Sequence, residues 1–221
     1  MIEFYSEFIS AGSLCFDIGA NVGNRTAAFL KLGARVVAVE PQKNCADFLK
    51  ETFDDNENFT LVNSALAAEK GSTQMLVSNA STLSSMSSEW IDYVQKNNLF
   101  EGCTWDQSVT VRTTTLDDLI ATHGRPDFCK IDVEGYEYQV LKGLSRPIKM
   151  ISLEYTVGLF DATIKCIRHL AGLGNASFNY SQGESMSFVL GDWLPADEII
   201  KLLNEMNEKR GAGDIYALYK L

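Results

Sequence analysis

The amino-acid sequence predicts an α/β fold of the Rossmann-like kind, and three features carry that expectation. Residues 14–18 are an apolar run broken by Asp17, after which the chain turns through Gly19, Ala20, Asn21 and Gly23 into 26–32, which keep helical spacing. Strand, glycine turn and helix in that order open a βαβ unit, because glycine lets the backbone reverse tightly. Second, Gly33 can end that helix, and the β-branched run 34–40 is stopped by Pro41, so Glu40 falls at a strand's carboxyl end, 21 positions after Gly19. Third, the same theme returns twice, in strands 127–132 and 148–154 that end in the carboxylates Asp132 and Glu154.

The first unit reads as a cofactor site. The amides at the start of the helix, from Gly19, Ala20, Asn21 and Gly23 to Asn24, are placed to face a ligand over the turn. An acidic residue about 20 positions beyond such a turn holds a ribose diol by accepting hydrogen bonds from both hydroxyls, which assigns Glu40, next to Pro41, to an adenosine. The dinucleotide fingerprint G-x-G-x-x-G has its middle glycine replaced here by Asn21. Asp17 also sits badly beside a pyrophosphate and well beside a cation, so S-adenosylmethionine, with its sulfonium and ammonium, fits better than NAD. The alternative is an ordinary βαβ turn with no ligand.

Four blocks then make a pattern: Cys15 to Asn24, Val39 to Pro41, Lys130 to Gly135 and Val140 to Gly143. In sequence and in order they resemble the signature blocks of the FkbM family of S-adenosylmethionine-dependent methyltransferases, over roughly Leu14 to Tyr155. The resemblance implies a class I methyltransferase fold, a mostly parallel seven-stranded sheet with helices on both faces and a last strand antiparallel to the others. It also implies methylation of a hydroxyl oxygen.

Composition bounds the reading. A chain of 221 residues, 46% apolar and 22% charged, is expected to form a single domain, 1–221. The net charge of −10 argues against a nucleic-acid partner, since that affinity comes from Lys and Arg neutralising phosphates. Five scattered cysteines with no C-x-x-C pair fit reduced thiols in the cytoplasm. Residues 1–7 do not look like a signal peptide and no 18-residue apolar run exists, so a membrane partner is not expected.

The remaining elements follow in order. In 2–10, Phe4, Tyr5, Phe8 and Ile9 share a helix face, predicting a short N-terminal helix within 1–12 that covers the sheet or the cofactor. Cys45, Phe48, Leu49 and Phe53 keep helical spacing after Pro41, and the polar run 54–58 leads into strand 59–62. Asn63, Ser64 and Ala65 then fall at a strand's carboxyl edge, either lining the adenine pocket or forming a plain turn. Strands 72–77 and 107–113 flank an insert, 79–106, with a serine-rich start at 81–88 and Trp90, Tyr93, Phe100 and Trp105. It is either a lid or acceptor-binding segment, or an amphipathic helix, 89–96, packing Trp90, Ile91 and Val94. A helix at 115–121, capped by Thr114 or Thr115, precedes strand 127–132, and helix 136–142 follows it. After strand 148–154 come a helix at 162–171, apolar segments 176–180 and 186–190, a helix at 195–208 and a closing strand at 214–219.

Methyl transfer from a sulfonium needs an acceptor oxygen held in line and its proton removed. Asp132, Glu134 and Glu154 are the candidate catalytic carboxylates, with Asp132 preferred near the reacting end and also counted with the cofactor. Asp132 or Glu134 could act as base, bind the cofactor's ammonium, or ligate a divalent metal, although no metal-ligand set is assigned. For Glu134 the competing role is a charge at the start of helix 136–142, and for Glu154 an ion pair with Lys or Arg. His123 and His169, the only histidines, are placed away from the chemistry. The acceptor is expected to be a small molecule, a sugar or polyketide-like metabolite. Two other readings stay open, an NAD(P)-dependent oxidoreductase and a non-catalytic methyltransferase-like binding module.

Overall fold

The computed structural model describes residues 1–206 and 211–220. The chain runs α1 (Ile2–Ser6), β1 (Leu14–Ile18), α2 (Asn24–Lys31), β2 (Arg35–Val39), α3 (Lys43–Phe53), β3 (Phe59–Val62), β4 (Ala65–Leu66) and β5 (Gly71–Val77). A 3-10 turn at Ser81–Leu83 precedes α4 (Ser88–Lys96), β6 (Gln107–Thr114), α5 (Leu116–His123), β7 (Phe128–Ile131) and α6 (Glu137–Leu141). The last elements are β8 (Met150–Thr156), α7 (Phe160–Leu173), β9 (Ala176–Gln182), α8 (Ala196–Glu205) and β10 (Ala212–Tyr219).

Seven strands form one sheet in the order β3-β2-β1-β7-β8-β10-β9. The first five pair parallel, and β10 pairs antiparallel with both β8 and β9. Alternate residues of β1 serve opposite faces: Leu14, Phe16 and Ile18 join the core beneath α5 to α8, while Cys15 joins the core beneath α1 and α2. Both faces are therefore covered, as a parallel sheet requires. The order reverses between β1 and β7, so the carboxyl ends of these two strands mark the crevice where such sheets bind ligands. β4, β5 and β6 form a separate three-stranded sheet.

Several boundaries differ from the sequence reading for local reasons. α1 ends at Ser6, but Ile9 beyond it is still buried, and Tyr5 meets Phe29 edge-on at 4.9 Å. This helix covers the sheet and takes no part in lining the cleft described below. In α3, Cys45, Ala46 and Leu49 turn inward and Phe48 is exposed. Segment 186–190 is irregular; Asn179 holds it against β9 by exchanging hydrogen bonds with the Leu190 backbone. Pro195 precedes α8, and positions 207 and 208 of the expected helix 195–208 lie outside the described residues. Thr115 is the N-cap of α5, accepting from the Asp118 amide. All five cysteines are free thiols, four of them buried. Among the described residues no helix is long and apolar enough to cross a membrane.

Candidate active site

Gly19 ends β1 with φ +80°, and a Cβ there would lie 1.8 Å from the Asp132 carbonyl oxygen. The turns after β1 and β7 thus touch backbone to backbone, which only glycine permits. Asn21 has φ +48°, a left-handed conformation that asparagine tolerates better than most residues. Gly23 is tight against Leu49 and Phe53 of α3, so it serves packing.

The turn spends most of its amides internally. Those of Gly19 and Ala20 donate to the Val39 carbonyl, that of Gly23 to the Ala20 carbonyl, and that of Asn21 to Glu40 Oε2 at 2.8 Å. This corrects the expectation that these groups face a ligand. Three of the four go to the end of β2 and the carboxylate that follows it: Glu40, 2% exposed, also accepts the Gln42 amide on Oε1 at 2.8 Å. Burial pushes the Glu40 carboxyl up, and the two amide bonds oppose that shift.

Glu40 lies in a cleft of about 680 Å³ measured out to its open mouth, a size suited to a nucleoside-bearing ligand. Gly19, Asn21, Pro41, Ser64, Ala65, Asp132 and Glu134 of the expected site share it. The others do not line it. Asn63 ties strand ends together, its Nδ2 donating to the Glu40 carbonyl at 2.8 Å. Asp17 is buried under the turn and accepts from Thr26 Oγ1 at 2.6 Å, with its carboxyl pushed up by burial. Asp17 is thus tied to the first turn of α2 beneath the cleft. Ala20 and Asn24 are outside the lining as well.

Sequence reasoning missed the cleft's outer wall. Gln42, Ser81 and Ser84 close it through two contacts, Gln42 Nε2 to the Ser81 carbonyl at 2.9 Å and Ser84 Oγ to Gln42 Oε1 at 2.9 Å. The serine-rich part of the insert therefore lies over the Glu40 end of the cleft. The rest of the insert follows the packing alternative, with Trp90, Ile91 and Val94 of α4 buried and Trp90 Nε1 donating to Thr156 Oγ1 at 3.0 Å.

The loop after β7 is clamped from two sides. Glu137 Oε1 accepts the amides of Val133 at 3.2 Å and Gly135 at 3.1 Å, while Ser85 Oγ donates to the Glu134 carbonyl at 2.6 Å. A Cβ on Gly135 would strike Trp90 at 2.4 Å, which explains the glycine. The start of α6 is thus tied by Glu137, a residue the sequence reading passed over for its neighbour Glu134, and burial lifts the Glu137 carboxyl to about 7. Glu134 instead adopts φ +51°.

Asp132, Glu134 and Glu154 bring carboxylate oxygens within 4.8 Å of one another. Burial and then the Asp132 charge push both Glu134 and Glu154 well above the usual carboxylate range. Like charges this close disfavour one another, so Glu134 and Glu154 hold their protons to higher pH than a free carboxylate does. Asp132 is ion-paired through Oδ2 with Lys130 Nζ at 3.0 Å, and the same ammonium meets Asp214 Oδ1 at 2.8 Å. Burial alone would lower the Lys130 pKa, but Asp132, Asp214 and Glu154 hold it well above its ordinary value. That buried ammonium supplies the positive charge a cluster of acids needs, and nothing beyond oxygen proximity points to a metal ion there.

Asp132 also borders a second, polar recess of about 360 Å³ shared with Arg25, Lys130, Glu154, Glu184 and Asp214. One carboxylate thus stands between two spaces. His123 and His169 border neither.

Comparison with known proteins agrees with this architecture. Hexuronic acid methyltransferase AglP of Haloferax volcanii is 25% identical over 155 residues, 69% of this chain and 58% of that protein, so the chain spans little more than half its length. The crystal structure of precorrin-6y C5,15-methyltransferase from Geobacter metallireducens GS-15 superposes with a TM-score of 0.50 at 14% identity, over 99% of this chain and 86% of the other, which is a likeness of fold. Residues 17–180 match the methyltransferase FkbM domain. With its class I methyltransferase fold and that match over well more than half its length, the chain belongs to the FkbM methyltransferase family.

Proposed function

We propose that this chain transfers a methyl group from S-adenosylmethionine to a hydroxyl oxygen on a sugar-like small molecule. The observation that carries the reading is one cleft with Glu40, fixed by two amides, at one end and Asp132 with Glu134 at the other. A carboxylate held in that way suits a ribose diol, and acids at the far end suit a cationic group. The same features disfavour NAD(P), because a pyrophosphate needs free amides and four in this turn are engaged internally. When bound, the cofactor supplies an electrophilic methyl group on a sulfonium.

The chain's own part is orientation and proton handling. Asp132 Oδ2 is engaged by Lys130, which leaves Oδ1 to take the proton of a hydroxyl presented from the polar recess. The raised proton affinity of Glu134 and Glu154 limits negative charge beside the reacting centre, and whichever of the two is ionised can accept a proton passed on from Asp132. The relative whose name includes hexuronic acid supports a sugar acceptor. A chain with net charge −10 favours a small molecule over nucleic acid, and its reduced cysteines favour a cytoplasmic setting.

Calorimetric titration with S-adenosylmethionine and with NAD tests the first half of the reading. Heat with the first alone is expected; heat with NAD alone would replace the reading by an oxidoreductase. Transfer of labelled methyl to a panel of sugars, alcohols, amines and acids tests the second half. Binding without transfer to any of them would favour a binding module.

A further inference from the structure

We propose that Arg25 is a receptor for a ligand carboxylate and that Glu184 occupies it as an internal stand-in. Arg25 stands in the first turn of α2 and borders the polar recess beside Asp132. Its side chain is 15% exposed, whereas that of Glu184, on the turn after β9, is 74% exposed. The ion pair therefore joins a guanidinium that has lost most of its water to a carboxylate that has kept most of its own.

The contact is also incomplete. Arg25 Nη2 donates to both Glu184 oxygens, at 2.8 Å and 2.6 Å, so a single nitrogen carries the pair. Nη1 has the Met1 sulfur at 3.7 Å, and Nε is buried with no hydrogen-bond partner among the described residues. A planar guanidinium matches a carboxylate best through two parallel N–H bonds, which Glu184 does not make. An incoming carboxylate that met Nε and Nη2 together would satisfy the orphaned donor and return Glu184 to water. Lys130, the other cation that lines the recess among the described residues, is already held by Asp132 and Asp214.

The inference rests on the cleft being a methyl-donor site, and two ligands could bring the carboxylate: the amino-acid tail of the donor, or a uronic acid acceptor. S-Adenosylhomocysteine and 5′-methylthioadenosine share the adenosine and thioether but differ in that tail, and glucuronate and glucose differ in the carboxylate. Calorimetry for the nucleosides and ligand-observed NMR for the sugars are run on the full chain, on Glu184→Gln and on Arg25→Gln. For the carboxylate ligand, Glu184→Gln is expected to tighten binding several-fold by removing the internal competitor, and Arg25→Gln to weaken it tenfold or more. Arg25→Lys, which keeps the charge and loses the fork, should restore only part. Methylthioadenosine and glucose should not respond. A response with S-adenosylhomocysteine assigns Arg25 to the donor's tail, and one with glucuronate assigns it to the acceptor. If neither carboxylate ligand responds to Glu184→Gln, an exposed change that leaves the fold alone, or to a folded Arg25→Gln, the proposal is overturned. A wild-type chain that binds neither nucleoside overturns the donor-site reading instead, and the glucuronate arm then judges Arg25 by itself.

Discussion

The two ends of the main cleft hold carboxylates in opposite ways. At the β2 end, Glu40 is a lone acid held by the amides of Asn21 and Gln42, groups that cannot titrate or move without unwinding the turn. At the β7 end, Asp132, Glu134 and Glu154 crowd together, with raised proton affinity on the two glutamates and one buried ammonium as compensation. Fixed amides give a stationary acceptor suited to binding hydroxyls. Glutamates with raised proton affinity, as Glu134 and Glu154 are, suit static binding poorly and moving protons well. Binding and chemistry thus separate along a single crevice.

The sharpest break of that division is Asp132→Asn. If Asp132 is the base, turnover should fall by about 10²- to 10⁴-fold, with a much smaller change in cofactor affinity. Lys130 keeps Asp214 as a partner, so the fold should survive. Single-turnover methyl transfer alongside calorimetry measures both, and equal losses would move Asp132 to the binding side.

The crowded end should also leave a mark on stability. Burial raises Glu137 from 4.5 to about 7, so between these pH values the folded chain keeps a proton that the unfolded chain releases. Stability from this group is complete below pH 4.5 and is lost as pH rises through about 7, a difference of about 3 kcal/mol. The raised Glu134 and Glu154 act in the same direction. Thermal melts from pH 5 to 8 should show a falling midpoint. Glu137→Gln, whose amide oxygen can still accept both loop amides, should flatten the slope; an unchanged slope would remove Glu137 from the account.

The β2 end predicts a smaller and different effect. Glu40→Ala removes the ribose partner and should weaken S-adenosylhomocysteine binding by about 1.5–3 kcal/mol with little change in turnover at saturation. A loss in turnover without a loss in affinity would reverse the roles of the two ends.

The contrast also explains what could be read from the sequence. The β2 end is local: Gly19, Asn21 and Glu40 fall within one βαβ unit, so turn chemistry and strand period place them together. Asp132, directly after β7, was legible for the same reason, whereas Glu154 lies inside β8, which runs two residues past the expected strand end to Thr156. Lys130, Asp214, Arg25 and Glu184 meet only through sheet order and through the antiparallel insertion of β10 beside β8, which no local pattern encodes. A lysine inside the apolar strand 127–132 was the available signal, since a buried ammonium must find acids. The amides of the glycine turn were misjudged because spacing shows where donors are and not what already accepts from them. Gln42 and the serine run were missed as cleft walls because the insert folds back over the Glu40 end, a long-range contact made by side chains with little pattern of their own.

The finest test of the comparison concerns backbone strain. Glu134 holds φ +51°, a conformation that costs a side-chain-bearing residue about 1–2 kcal/mol and glycine almost nothing. Its carboxyl adds like-charge crowding against Asp132. Both costs persist because Ser85, Glu137 and Trp90 fix the loop around it. If the β7 end keeps this residue for chemistry, Glu134→Gly should raise stability by about 1 kcal/mol, after the entropy of the extra glycine in the unfolded chain, and should lower turnover. The same change should steepen the dependence of rate on pH, because Glu154 would then titrate without its partner. A variant that melted earlier than the parent would mean that the contacts of the Glu134 side chain outweigh the strain, and that the acid cluster is a structural clasp instead of a proton store.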